Sequence, residues 1–162
     1  MRFGQQGTLA HVWAEVGTRP EAVKQTAHES VHLFGAVEPM TGRRAAYVSP
    51  TVDTRAMQVL LNEVSAQAPE DAHAVLVLDG AGWHVTDHLH VPENLTLHFL
   101  PPYSPKLNPV ERLWTWLRSH YLANRMYEDY AALVDAACEA WNTLTSGRIQ
   151  SICTPPVALG KN

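Results

Sequence analysis

Apolar residues recur along the chain with two different periods, and the change of period separates predicted strands from predicted helices. Short continuous or alternating apolar runs predict strands at 31–37, 45–48, 74–78 and 95–100. Apolar residues three and four positions apart predict helices over 56–64, 110–121 and 130–144, with a short helix near Thr86–His90. Residues 1–29 are expected to be irregular with a hairpin arm. The element order indicates an α/β fold, a mixed sheet with helices outside.

Individual positions refine this pattern. The apolar run 75–78 is typical of a strand covered on both faces. In the final predicted helix, which fades at Ser146 and Gly147, Cys138 and Trp141 fall on the apolar stripe and are expected in the core. Thr51 or Asp53 is placed to cap the first predicted helix.

Composition limits the class of protein. With 162 residues, 46% of them hydrophobic and 17% charged, the chain has the size and mix of one globular domain. We find no run of about 18 apolar residues and no signal-peptide pattern, so we expect a cytoplasmic protein without a membrane segment. The 2 cysteines are too few for a disulfide framework and are expected to be reduced.

Charge argues against a dedicated DNA-binding module. The net charge is -4, with a pI near 6.1, whereas such modules carry excess Lys and Arg. The segment 106–125 differs, since it holds four basic residues and one acidic residue. A positive surface is therefore expected beside Glu111. Lys106, Arg112 and Arg118 are candidates for phosphate contacts, although a solvated helix face explains them almost as well.

Two carboxylates are placed to share a metal ion. Asp79 directly follows the predicted strand 74–78, and Gly80-Ala81-Gly82 keeps the approach to it open. Glu111 opens the helix predicted over 110–121. Mg²⁺ takes oxygen ligands and commonly binds one or two carboxylates together with substrate phosphates. Phosphodiester chemistry is therefore the leading interpretation.

Both carboxylates also have structural interpretations. Asp79 can accept turn hydrogen bonds from the backbone of 80–82. Asn108, Pro109 and Glu111 match a capping box, in which Glu111 would bond back to the cap. The two roles of Glu111 are compatible, because the helix dipole keeps a carboxylate in the first turn ionised.

The remaining candidates are histidines and tryptophans. His84, His88 and His90 resemble a zinc cluster, but no Glu lies between them as in the metalloprotease motif, and surface or capping roles are favoured. Trp114 falls in the core stripe. Trp116 points away from that stripe and is the better candidate for a DNA or partner contact.

The motif from Leu78 to His84 (LDGAGWH), followed by LPPYSPKLNPVERLW from Leu100 to Trp114, closely resembles the DDE transposases of bacterial insertion sequences in the mariner superfamily. The resemblance continues upstream through FGQQGT, VWAE, GTRP and LFGAV. It implies a single catalytic domain over 1–162 with an RNase H-like mixed sheet flanked by helices. It further implies cleavage and transfer of DNA strands with two Mg²⁺ ions, or Mn²⁺, about 4 Å apart and no small-molecule cofactor. Asp79 and Glu111 match the family's second aspartate and closing glutamate.

The family's first aspartate has no counterpart in this sequence. In the family it belongs to an Asp-Glu pair directly before the residues that match Arg2-Phe3-Gly4, and Met1 stands where that pair ends. The resemblance therefore implies an N-terminally truncated domain, with the central first strand largely missing and no helix-turn-helix domain. Asp53 is the one acidic residue of the middle region that could substitute, but a capping role is favoured.

Three functions follow from this resemblance. The first is DNA strand cleavage and transfer during transposition, with transposon ends and target DNA as partners and a homodimer as the expected assembly. The second is an inactive remnant that only binds DNA or full-length transposase. The third, an RNA nuclease of the same fold, is disfavoured because no basic, aromatic-lined groove for single strands is evident.

Overall fold

The computed structural model describes residues 1–5, 15–18, 28–80 and 88–154. Five strands and four helices occur in these ranges: β1 (Arg2–Gly4), β2 (Ser30–Val37), β3 (Arg44–Ser49), α1 (Thr54–Gln67), β4 (Ala74–Leu78), β5 (Leu95–Phe99), α2 (Pro109–Leu117), α3 (Tyr130–Asn142) and α4 (Ser146–Cys153). A π-helical segment, Arg118–Leu122, continues α2. The four strands expected from the sequence and the mixed α/β class are confirmed.

The strands form two separate sheets. In the first, β2 lies between β1 and β3 and is antiparallel to both, with Phe3 opposite Val31 and Phe34 opposite Tyr47. In the second, β4 and β5 are parallel, and Leu76 lies opposite Leu97.

Side chains on the two faces of β2 belong to two different hydrophobic clusters. Val31 and Leu33 pack in the larger cluster, which is built mainly from α2, α3 and α4. Phe34 and Ala36 point the other way, toward the smaller cluster formed by α1, β4 and β5. This alternation follows from the two-residue period of a strand and places helices on both sides of β2.

A glycine permits close packing of two tryptophans against β2. The rings of Trp114 and Trp141 lie 5.9 Å apart, and a Cβ on Gly35 would come within 2.6 Å of Trp114 and 2.9 Å of Trp141. Any larger residue at this position would displace the rings. The expectation that Trp114 and Trp141 are core residues is confirmed, since both are buried.

Side-chain caps fix where helices begin. The Asp53 carboxylate accepts a hydrogen bond from the Ala56 amide at 2.8 Å and from the Thr51 hydroxyl at 3.0 Å. These two bonds, the backbone bond first, lower the pKa of Asp53. Asp53 is therefore the α1 cap. None of the helices in the described ranges has the length and apolarity needed to cross a membrane.

The expectation of one final helix is wrong. The chain turns at 143–145 after α3, and a separate helix, α4, begins where the Thr145 hydroxyl accepts a hydrogen bond from the Arg148 amide at 3.2 Å. Cys138 is exposed rather than in the core, because the buried stripe of α3 runs through Leu133, Ala137 and Trp141.

Two further expectations about strands and turns are corrected. Val75 and Val77 are 61% and 39% exposed, so β4 is covered on one face and not on both. The reason is that their face of β4 borders an open groove between the two sheets. The short helix expected near Thr86–His90 lies partly outside the described residues, and 88–90 form a turn followed by irregular chain.

Candidate metal centre

Asp79 is presented at the end of a strand. It directly follows β4, whose last residue, Leu78, is buried, while Asp79 itself and Gly80 are exposed. A Cβ on Gly80 would meet no atom within 4 Å, so the space beside Asp79 is open. An exposed carboxylate at the carboxyl end of a parallel strand is well placed to meet a ligand.

Glu111 is held in the first turn of α2. The Asn108 side chain accepts a hydrogen bond from the Val110 amide at 3.2 Å, and Pro109 occupies the first helical position. The predicted helix cap is therefore confirmed. In a capping box the Glu111 carboxylate would accept a hydrogen bond from the Asn108 amide. Here the Asn108 amide instead donates to the Pro105 carbonyl at 3.1 Å. The Glu111 carboxylate is thus exposed and not used in capping.

The two carboxylates line the same pair of cavities. A cavity of about 200 Å³ is bounded by Asp79, Glu111 and the loop 100–105 that leads from β5 to α2. A second cavity of about 490 Å³, between the two sheets, is also lined by both residues. The structure therefore places Asp79 and Glu111 beside the same two cavities.

The amino group of Met1 lies close enough to both carboxylates for their charges to affect its pKa. It is largely buried and donates a hydrogen bond to the Leu33 carbonyl at 2.6 Å. Burial lowers the pKa of this group from 8.0 to about 6, while the charges of Glu111 and Asp79 oppose that change and the charge of Arg118 reinforces it. This amino group thus lies near the two carboxylates and is mainly protonated only below about pH 6.

The carboxylates of Asp79 and Glu111 suit a hard divalent cation, but they are only two ligands. Carboxylate oxygens are the ligands that Mg²⁺ and Mn²⁺ prefer. Within 1–5, 15–18, 28–80 and 88–154, no group of three or more His, Cys, Asp or Glu residues is placed to hold a metal ion. Asp79 and Glu111 would be the protein ligands, and water or substrate oxygens would complete the coordination.

Three of the four proposed DNA-contact residues lie together. Lys106, Arg112 and Trp116 line an open depression of about 590 Å³ that also borders Glu111. Its walls come from the start of α2 and from Ile152 of α4. Arg118 does not line this depression and instead influences the amino group of Met1. Two of the basic candidates, Lys106 and Arg112, therefore lie beside Glu111 in this depression, which we call the basic depression.

The Trp116 ring already has partners. It stacks on His120 with ring centroids 4.7 Å apart, and the Arg148 guanidinium lies 5.3 Å from its centroid. Tyr121 is tilted against it at 5.3 Å. Stacking of a base on Trp116 would require one of these neighbours to move, whereas contact with its edge would not.

Within the part of the chain that the structure describes, the histidine candidates do not form a metal-binding group. His84 lies outside them. His90 is fixed through its backbone, which exchanges two hydrogen bonds of 2.7 Å with the Gln58 side chain. Asp53 caps α1 and does not line either cavity that Asp79 and Glu111 share.

Two residues near the site were not identified from the sequence. Tyr103 lines the smaller cavity, is fully exposed and has φ of 59°, which is unusual for a non-glycine residue. The flanking prolines in Pro101-Pro102-Tyr103-Ser104-Pro105 were a usable signal for a rigid loop. Arg148 was missed because α4 was not predicted, although Thr145 could have indicated its cap.

Two comparisons of sequence and one of structure match this chain to known proteins. A family model described as DDE superfamily endonuclease matches residues 1–134. "Uncharacterized protein y4pE/y4sA" of Sinorhizobium fredii (strain NBRC 101917 / NGR234) is 52% identical over 113 residues, which cover 70% of this chain and 84% of that protein. A chain in the crystal structure of the Mos1 strand transfer complex aligns with a TM-score of 0.61 and 14% identity over 93% of this chain. The expected RNase H-like fold is confirmed by that likeness. This chain spans 48% of the solved chain, about half its length.

Proposed function

The chain belongs to the DDE superfamily endonucleases, and from that premise we propose that it is a transposase catalytic domain which cleaves and transfers DNA strands during transposition of an insertion sequence. Its cofactor would be Mg²⁺, or Mn²⁺, bound by Asp79 and Glu111. Its substrates would be transposon ends and target DNA, and its assembly a homodimer acting in the cytoplasm. The observation that carries this proposal is that Asp79 and Glu111 line the same two cavities.

The two carboxylates would bind a cation from two different secondary-structure elements. Asp79 is positioned by a strand and Glu111 by the first turn of a helix, so both are fixed by hydrogen-bonded backbone. When bound, divalent cations would lower the pKa of an attacking water or 3′-hydroxyl and stabilise the leaving oxygen. Lys106 and Arg112, beside Glu111, would bind phosphates of the DNA backbone and hold the strand over the site.

The alternative function is an inactive remnant that binds DNA or full-length transposase. It is favoured by the small donor set, since Asp79 and Glu111 are the acidic residues that line the shared cavities. Such a protein would retain the basic depression at Lys106 and Arg112 and bind DNA without cleaving it. Cleavage assays with and without metal separate the two functions.

The test is nicking of supercoiled plasmid DNA in Mg²⁺, Mn²⁺ or EDTA. We expect slow metal-dependent nicking that Asp79→Asn or Glu111→Gln abolishes. The matched controls are Asp71→Asn, before β4, and Glu63→Gln, on the exposed face of α1, and both should nick as the unmodified chain does. Nicking that survives Asp79→Asn and Glu111→Gln would contradict the site assignment. DNA binding without nicking in any metal would instead support the remnant.

A further inference from the structure

Helix α4 is held in place on more than one side. Ile149 and Cys153 are fully buried in the larger hydrophobic cluster. The Gln150 side chain donates a hydrogen bond of 2.6 Å to the Met40 carbonyl, in the turn between β2 and β3. The position of α4 beside α2 is therefore well defined. The match to the family model ends at residue 134, so it assigns no role to this helix.

One face of α4 is turned toward α2. Arg148 and Ile152 are four positions apart and so share a face of the helix. Ile152 lines the basic depression together with Trp116. Arg148 does not line the depression itself, but its guanidinium lies 5.3 Å from the centroid of the Trp116 ring. The indole ring therefore connects Arg148 to the border of the basic depression.

The guanidinium of Arg148 is supported but not neutralised. A cation over an aromatic ring is attracted by the electrons of the ring face, and this contact uses none of the five N–H donors of an arginine. Among the residues that the structure describes, no carboxylate lies within salt-bridge distance of Arg148, since the ion pair found there joins Arg43 to Glu38. Arg148 thus offers an exposed, positioned charge to an external anion.

Two further cations lie beside Arg148. Lys106 and Arg112 line the basic depression and are exposed. Burial raises the pKa of the Cys153 thiol and the charge of Arg112 opposes this change, which shows that Arg112 is also close to α4. Glu111 is the acidic residue that lines the depression. This local excess of positive charge, in a chain with a net charge of -4, favours an anionic partner.

The same surface is continuous with the two carboxylates. Glu111 lines the basic depression and also the smaller cavity that it shares with Asp79. Trp116 follows Glu111 by roughly 7 Å along the axis of α2, which corresponds to about two nucleotides of a DNA strand. A strand bound at the carboxylates can therefore reach Arg148. This continuity favours DNA over an acidic peptide as the anionic partner.

We propose that Arg148 binds a phosphate of the DNA backbone and that the Trp116 ring positions its guanidinium for this contact. The DNA-binding surface then extends from the basic depression onto α4. Trp116 supports Arg148 and does not stack on a base, because His120 and Tyr121 already contact its ring. The identity of the partner as DNA rests on the proposed function, whereas the site itself rests on the contacts of α4 with α2.

The test measures binding of a short fluorescein-labelled DNA duplex of mixed sequence by anisotropy, in EDTA and over a range of salt concentrations. Arg148→Gln should weaken binding by roughly tenfold at low salt and lower the slope of log affinity against log salt by about 1. Arg148→Lys keeps the charge and should keep the slope. Arg55→Gln is the matched control, because α1 packs on the opposite face of β2, and it should bind as the unmodified chain does.

Trp116→Leu tests whether the ring positions Arg148. It should weaken DNA binding, and adding Arg148→Gln to it should cost clearly less than the tenfold expected of Arg148→Gln alone, since the guanidinium has already lost its support. Urea denaturation of each variant checks that it is folded. If Trp116→Leu does not fold, Trp116→Phe retains a smaller aromatic ring and is measured in the same way. Strictly additive losses would overturn the positioning role of Trp116.

Three results would overturn the contact between Arg148 and DNA. The first is an unchanged salt slope in Arg148→Gln, with or without a lower urea midpoint, since a purely structural arginine would change only the midpoint. The second is the absence of DNA binding by the unmodified chain. The third is binding of polyglutamate that is as tight as DNA binding and equally dependent on Arg148.

The outcome for Arg148 is separable from the outcome for the proposed function. An Arg148-dependent salt slope in a chain that nicks DNA in no metal would contradict the transposase activity and support the Arg148 contact. Metal-dependent nicking together with an unchanged slope in Arg148→Gln would support the activity and overturn the contact. Binding in EDTA isolates the contact from metal binding at Asp79 and Glu111.

Discussion

Asp79 and Glu111 line the same two cavities although 32 positions separate them in the sequence. Asp79 follows β4 and Glu111 lies in the first turn of α2, so a strand end and a helix start converge. Carboxylate oxygens held by two secondary-structure elements are suitable ligands for a divalent cation.

Removing the cap of α2 should affect both stability and metal binding. Asn108→Ala deletes the acceptor for the Val110 amide and should cost about 1 kcal/mol of unfolding free energy. It should also weaken Mn²⁺ binding, because Glu111 sits three residues after the cap. Urea denaturation and calorimetric titration with Mn²⁺ provide the two measurements.

Asp53→Ala is the matched control for Asn108→Ala. It deletes the cap of α1, with a similar loss of about 1 kcal/mol, but Asp53 lines neither of the cavities shared by Asp79 and Glu111. Mn²⁺ binding should therefore be unchanged in Asp53→Ala. A large loss of Mn²⁺ binding in this variant would mean that Asp53 acts as a metal ligand after all.

Tyr103 should contribute to DNA binding more than to folding. Tyr103→Gly relieves the backbone at φ of 59° but adds freedom to the unfolded chain, so stability should change by less than about 1 kcal/mol. Loss of the exposed ring should weaken single-stranded DNA binding by about 1 to 3 kcal/mol if it stacks on a base. Fluorescence anisotropy measures this change. Tyr103→Phe should bind normally, and equal binding by Tyr103→Gly would exclude stacking.

The basic depression should determine the salt dependence of DNA binding. Lys106→Gln and Arg112→Gln should each lower the slope of log affinity against log salt by about 1, because each removes one phosphate contact. Arg55→Gln, on the exposed face of α1, is the control and should leave the slope unchanged. Unchanged slopes in all three variants would mean that DNA does not bind at the depression lined by Lys106 and Arg112.

Stability should rise between pH 6 and pH 8. The pKa of the Met1 amino group is lowered from 8.0 to about 6, chiefly by burial, so the unfolded chain binds more protons in this window. The gain should be at most about 3 kcal/mol. The lowered pKa of His32, also due mainly to burial, acts in the same direction below pH 6.5.

Acetylation of the Met1 nitrogen provides the control for the pH dependence. It removes the titrating amine and should flatten the stability profile between pH 6 and pH 8, as measured by urea denaturation at each pH. A profile that is already flat in the unmodified chain, or one that falls with rising pH, would show that the ammonium is not buried as described.

The sequence pattern identified the parts of the site that depend on local rules. Asp79 was found because it follows an apolar run, and Asn108 and Pro109 marked the start of α2 through their capping chemistry. Strand β2 and its partner β3 were predictable because a turn with Gly42, at φ of 75°, separates two apolar runs. Each of these signals acts over fewer than about ten residues.

Features that depend on long-range packing were missed. Val75 and Val77 look like core residues in sequence, and only the open groove between the sheets explains their exposure. Cys138 lies off the buried stripe of α3, an offset that the apolar pattern alone did not reveal. The position of Arg148 against Trp116 required α4 to fold back onto α2.

The central claim is that Asp79 and Glu111 together bind a divalent cation, and Mn²⁺ tests it through paramagnetic broadening of amide NMR signals. In the unmodified chain, Mn²⁺ should broaden the signals of Gly80 and Asn108 while leaving those of Gln67 and Ala68, at the far end of α1, sharp. Asp79→Asn and Glu111→Gln should each reduce that broadening strongly. Broadening of Gly80 and Asn108 that persists unchanged in both variants would contradict the claim.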